Sequence, residues 1–253
     1  MYDPYLIDAF SYEWYKVNFL SLIGTIAILL LVSIFLTSEN FKNYKFKKKI
    51  STFLGILLLI RFVASHIFSS YFGSWDINHS LPFHLCGISS VLSIIILFKY
   101  NQFIYEFLIL LGAPGALWSF LTPQINVYEP SYMYVDYFIS HAAIIFVPIF
   151  LTIFLNKRPR PLSYLKILFI VNVLVMPIVG IINVMIKKIF NSDAVNYMYL
   201  MRPPIADNPF IVDSWLYIIV LEFTAFIHMI LIYSIFIIFS KFRDNYNLER
   251  RFS

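Results

Sequence analysis

Residues 164–186 read YLKILFIVNVLVMPIVGIINVMI, with Lys166 as the one cation and no acid. A helix needs about 20 mostly apolar residues to cross a bilayer's hydrocarbon core, and a helix of that length in a water-soluble domain would carry a polar face. Six more stretches meet the same requirement, at about 17–38, 51–73, 81–98, 103–121, 133–155 and 214–240. Composition agrees. Of 253 residues, 60% are hydrophobic and 13% charged, against about 25% charged in an ordinary soluble domain, and the mean hydropathy is +0.77. No soluble interior could hide so much apolar surface. The sequence predicts an all-α, polytopic membrane protein with seven transmembrane helices in a single domain, 1–253. The first stretch is too long for a signal core and follows Asp3, Asp8 and Glu13 rather than a basic leader, which reads as a retained span.

The net charge of +5 divides by side of the membrane. Lys42, Lys45, Lys47, Lys48 and Lys49 follow the first span, Lys99 the third, Lys157, Arg158 and Arg160 the fifth, and Lys241, Arg243, Arg250 and Arg251 the seventh. The loops around 73–80 and 122–136 hold no Lys or Arg. Positive loops stay in the cytoplasm, so the N-terminus is expected outside, the C-terminus inside, and the protein in a cell membrane. The cations are thereby explained without nucleic acid. The outer segment 187–213 breaks the rule, with Lys187, Lys188 and Arg202 among Asn191, Asp193, Asn196, Tyr197, Asp207 and Asp213. These cations either neutralise their own loop or receive an anion such as a lipid phosphate.

Ionisable groups inside spans are costly and face the bundle interior. Ser65, His66, His84, Cys86, Tyr134, Asp136, Tyr137, His141, Asn183 and Glu222 fall in the outer half, whereas spans 1 and 4 offer little. A cleft lined by spans 2, 3, 5, 6 and 7 and open to the outer leaflet accounts for that distribution. Cys86, Ser89, Ser90 and Ser93 share one helical face, as do Tyr134, Tyr137 and His141. His84 and Cys86 lie on nearly opposite faces of a regular helix, so His141 is the better partner for the thiol. Cys86, the sole cysteine, stands near a helix N-terminus that favours negative charge. On periodicity alone it reads equally as a packing residue, and the histidines as hydrogen-bonded core groups. Arg61 and Glu222 lie at similar depth and are expected to form a structural ion pair.

Four motifs occur in order: LPFHLCGIS at 81–89, GAPGALWSFLTP at 112–123, FISHA at 138–142 and NYMYLMRPP at 196–204, followed by Trp215 and Tyr217. Over about residues 50–240 the chain resembles the YwaF-like family of bacterial integral membrane proteins, related to the animal transmembrane protein 164 group. Members often carry Asp after the TP of the second motif, where this chain has Gln124, so no acidic role is carried over there. The resemblance implies a bacterial plasma-membrane protein and a phospholipid acyltransferase in which Cys86 accepts an acyl chain, with His84 and His141 as base or orienting groups. Lys187, Lys188 and Arg202 would then hold the phosphate of a phospholipid or lysolipid substrate, with Asn196, Tyr197 and Tyr137 supporting it. The donor is already an ester, so no cofactor is called for. Two rival readings are a metal-dependent lipid hydrolase using His66, His84, His141 and Asp136, and a transporter or lipid-binding protein without chemistry.

Overall fold

The computed structural model describes residues 5–8, 10–37, 44–125, 132–205 and 216–252; Asp3, Lys42, Asp207, Asp213 and Trp215 lie outside them. Among the described residues the helices form seven rods: α1 Tyr12–Thr37, α2 Tyr44–Tyr71, α3 Leu85–Phe98, α4 Gln102–Leu121, α5 Tyr132–Phe154, α6 Ser163–Phe190 and α7 Tyr217–Phe252. Five of them, α2 and α4 to α7, are long and apolar enough to cross a membrane. The third is not. Its 14 residues reach roughly 21 Å at 1.5 Å per residue, short of the hydrocarbon core's roughly 30 Å. The span expected from residue 81 begins as a turn, Phe83 N–H donating to the Leu81 carbonyl, and becomes helical only at Leu85.

The reason lies at Gly87. The backbone of Pro82 folds over it so closely that a Cβ would sit 2.7 Å from the Pro82 Cα. The same helix also meets α4 at short range. A Cβ on Gly112 would be 2.9 Å from Ser89 Oγ, and one on Gly115 would be 3.0 Å from Leu85 Cδ2. Small residues let helices approach where lipid offers no hydrophobic drive between them, so the glycines of the second motif seat the first.

Both α4 and α6 contain a π-helical turn, at Leu108–Gly112 and Val171–Val175. Pro114 and Pro177 stand two residues beyond them. Proline lacks the N–H for the preceding turn and clashes with the carbonyl there, and a wider turn relieves that clash.

Tight packing is concentrated at the end of the bundle where α3 passes to α4 and α5 to α6. Its core holds Leu97, Tyr105, Leu108, Phe150, Leu151 and Ile167. At this end Glu106, fully buried, accepts from the Arg160 N–H, Nε and Nη2 at 2.8–2.9 Å and from Gln102 Nε2 at 2.8 Å. The opposite end is hollow. There a two-residue strand, Tyr5–Leu6, pairs antiparallel with Gln124–Ile125. The first turns of α1 dock nearby, through Trp14 Nε1 on the Leu121 carbonyl at 2.9 Å and Glu13 on the Tyr134 hydroxyl at 2.7 Å.

Gly87→Ala is therefore expected to cost about 1–3 kcal/mol, as overpacking does, because Pro82 presents backbone rather than a movable side chain. Gly24→Ala, with nothing within 4 Å, is expected to be neutral or stabilising. Thermal unfolding in detergent micelles compares the two, and equal midpoints would contradict the close contact.

Candidate functional site

The hollow end encloses a cavity of about 600 Å³. All five histidines of the chain, His66, His79, His84, His141 and His228, line it, with Cys86, Arg61, Asp136 and Tyr137. The central rod α4 lines it too, through Pro114, Gly115, Trp118 and Ser119. This corrects the expectation that span 4 stands apart.

Cys86 occupies the first turn of α3. His84 precedes it in extended conformation and places no side chain on the helix end, so first-turn amides at Leu85 to Gly87 lack a capping group. The Ile88 N–H donates to the His84 carbonyl, so it is not among them. Cys86 Sγ lies 3.5 Å from Ser119 Oγ, and the carbonyl of Ser119 accepts from the Tyr137 hydroxyl at 2.9 Å. The Tyr137 ring centroid is 4.3 Å from that of His141. Cys86 and His141 thus share a neighbourhood although no hydrogen bond joins them. The expected serine stripe divides: Ser90 turns to Arg61, while Ser89 is buried against the Leu85 carbonyl.

Hydrogen-bond partners decide which nitrogen of each neutral ring carries its proton. His141 Nδ1 lies 2.6 Å from the Tyr137 carbonyl, and His228 Nδ1 lies 2.7 Å from the Thr224 carbonyl. A carbonyl only accepts, so both rings hold the proton on Nδ1 and a lone pair on Nε2. His84 and His66 are the reverse. His84 Nδ1 accepts from the Met198 N–H at 3.3 Å, and His66 Nδ1 accepts from Trp75 Nε1 at 3.3 Å. Their Nε2 atoms are donors. Two proton acceptors and two donors therefore stand around one cavity.

Arg61 does not pair with Glu222. Its Nη1 forks onto both carboxylate oxygens of Asp136, at 3.0 and 2.9 Å, and its Nη2 donates to Ser90 Oγ at 3.1 Å. Glu222 accepts instead from Asn172 Nδ2 at 2.8 Å. The correction has a simple cause: α2 packs on α3 and α5, and α7 makes no comparable contact with it. With Asp136 engaged by Arg61, and His66 and His84 held by Trp75 and Met198, the four groups expected for a metal do not converge. Among the described residues no cluster of three such ligands occurs.

The segment after α6 is a clamp. Asn183, fully buried, donates to the Tyr197 carbonyl at 2.9 Å and accepts from its N–H at 3.0 Å. The Tyr197 hydroxyl donates to the Ile77 carbonyl at 2.7 Å and accepts from the Leu81 N–H at 3.0 Å. Burial pushes that phenol up to about 12, so it stays a neutral donor. Asn196 accepts from the N–H groups of Met201 and Arg202. Tyr197 and Asn196 thus hold the LPFHLCG turn and its neighbouring loop rather than present free groups to a ligand. Lys187 pairs with Asp193 at 2.6 Å, and the Arg202 guanidinium donates to the carbonyls of Asp193 and Ala194. Arg202 and Asn196 line the cavity; Lys187 and Lys188 do not. The three expected phosphate cations do not form one receptor.

A family model described as the TMEM164 family matches residues 9–233. The chain belongs to the TMEM164 family. Neither a curated protein nor a solved structure matches it. In this TMEM164-family chain the four motifs meet around one cavity: Gly112 and Gly115 seat α3, Tyr197 clamps its leading turn, and the FISHA segment supplies His141. Sequence reasoning missed Ser119 beside the thiol, although it lies inside a quoted motif, and missed Asn172 and Glu106. Nothing in local spacing ties Asn172 to Glu222 or Glu106 to Arg160.

Lys187 holds the carboxyl of Asp193 below its ordinary range. A depressed carboxylate contributes stability above its unfolded value, about 3.9, and loses it as pH falls through the folded value. The 192–202 loop is expected to become more sensitive to protease at low pH, and Asp193→Asn to be sensitive already at neutral pH. Limited proteolysis across pH reads both, and identical profiles would contradict a role for the pair.

Proposed function

We propose that the protein is a membrane-embedded acyltransferase. It would move an acyl chain from a phospholipid to a lysolipid or lipid-linked acceptor through a thioester on Cys86. The observation that supports this best is the placement of the sole cysteine in an uncapped first helical turn, on the wall of a 600 Å³ cavity that also carries a histidine with its Nε2 lone pair free. The proposal includes seven crossings, the third made by α3 together with its leading turn 81–84, with the hollow end and the N-terminus outside and the C-terminus in the cytoplasm of a bacterial cell.

The steps balance without a cofactor. The Cys86 thiol gives its proton to His141 Nε2, and the sulfur attacks the ester carbonyl carbon. The resulting oxyanion is received by the orphan amides of Cys86 and Gly87, whose worth follows from their being fixed before charge develops. The carbon–oxygen bond to glycerol breaks, and the departing oxygen takes the proton from His141. The lysolipid leaves, and an acceptor hydroxyl, deprotonated in turn by His141, attacks the thioester and restores the thiol. The Tyr137 carbonyl keeps the proton of His141 on Nδ1 throughout. His84, with Nε2 as donor, suits a phosphate or leaving-group oxygen.

Incubation of the purified protein with acyl-labelled phospholipid is expected to leave a hydroxylamine-sensitive label on the chain. Cys86→Ser is expected to abolish both label and transfer, and His141→Ala to lower transfer by about 10²–10⁴-fold, the range of a lost general base. Transfer that persists in Cys86→Ser would overturn the covalent route.

A further inference from the structure

A groove flanks the cavity between α6 and α7. The helix α6 packs on α7 through its first half, Ser163–Ile170, with the Tyr164 ring 5.2 Å from Tyr233 and 6.0 Å from Phe226. Further along, the π turn Val171–Val175 that relieves Pro177 lies beside the first turns of α7, which begins at Tyr217. Along this seam runs a groove of about 550 Å³ lined by Phe169, Val173, Ile219 and Phe223, which are 56–65% exposed. Leu168 and Glu222 belong to the walls of both the groove and the cavity, so the two spaces adjoin. Asn172, carried on the π turn, donates to the Leu168 carbonyl at 3.1 Å and to Glu222 at 2.8 Å. Its bond to Glu222 is a polar bridge across the seam.

We propose that this groove is a lateral portal by which one acyl chain of a bilayer phospholipid enters the cavity, with the Asn172–Glu222 bridge as its sill. The proposal rests on the acyl-transfer reading and extends it to the route of the substrate. The occupant is an acyl chain because the groove is apolar, opens on the flank of the rods where bilayer hydrocarbon surrounds them, and is of the size of a small-molecule site. A charged head group would be costly to draw through it. The head group stays at the polar mouth beside Arg202 and His79, which line the same cavity, and the chain passes sideways. The two polar side chains of the sill satisfy each other, so neither is left unpaired against hydrocarbon when the chain is absent.

Trp118 on the cavity wall reports entry. The full-length protein is reconstituted in vesicles of phosphatidylcholine brominated at mid-chain. The quenching of Trp118 is taken as the difference between each chain and its Trp118→Phe counterpart. Quenching is expected in the parent chain, and a fall by about half or more in Val173→Phe and in Ile219→Phe. These two side chains point into open space, so enlarging them fills the groove without crowding a core. Ile181→Phe, at a 60% exposed site on α6 away from the groove, is expected to leave quenching unchanged. Quenching that survives both enlargements, or its absence from the parent chain, would overturn the portal. The same measurements in a Cys86→Ser background need no chemistry. Quenching there without any acyl label in the parent chain would count against the acyl-transfer reading alone.

Discussion

The backbone of Pro82 lies against Gly87 with no room for a methyl group between them, and the position of Cys86 follows from that contact. A chain entering a membrane helix normally continues as helix, because every backbone amide must find a partner away from water. Here the turn at 81–84 delays the helix until Leu85, and its first amides are left at the edge of a cavity rather than in lipid. The turn is not stable by itself. Tyr197 pins it from above through Ile77 and Leu81, Asn183 pins Tyr197, and Gly112 and Gly115 let α4 close beneath it. Three of the four sequence motifs meet in this one fastening.

The charges inside the bundle follow the rule that a buried ion keeps company. Arg61 forks onto Asp136, and Glu106 gathers three donors from Arg160 and one from Gln102. Removing one partner of such a pair leaves an uncompensated charge, at a cost of about 3–5 kcal/mol. These pairs fasten rods rather than wait for ligands. Glu222 is different, since its partner Asn172 is neutral and stands on the π turn of α6. The Glu106–Arg160 pair also shows that Arg160, which the charge pattern marks as an orientation signal, has a structural duty as well.

The histidines gain meaning from their backbone partners more than from their number. A carbonyl at Nδ1 leaves His141 and His228 able to take a proton at Nε2, while an amide or indole N–H at Nδ1 makes His84 and His66 donors there. The cavity wall that holds Cys86 therefore carries both proton donors and proton acceptors. Ser119 sits beside the sulfur, and Tyr137 bridges from the Ser119 carbonyl to the neighbourhood of His141. Among the described residues no three His, Cys, Asp or Glu side chains are grouped to hold a metal ion.

The sequence by itself determined the membrane setting, the approximate places of the rods and the order of the four motifs, but not that α4 lines the cavity. Apolar length, loop composition and motif residues are local properties, and hydrocarbon reads them locally. It also marked Cys86, His84 and His141, all of which do line one cavity. It misjudged the start of α3, because a backbone collision between Pro82 and Gly87 is invisible in a hydropathy pattern. It paired Arg61 with Glu222 because both are deep, yet Asp136 is on a rod that packs against α2 and Glu222 is not. Depth along a helix can be counted from a chain; which rods are neighbours cannot, since lipid-facing and protein-facing surfaces are nearly equally apolar. Tertiary structure alone decided the ion pairs, the tautomers, the diversion of Asn196, Tyr197 and Lys187 into holding a loop, and the groove between α6 and α7, because each depends on contacts between residues far apart in the chain.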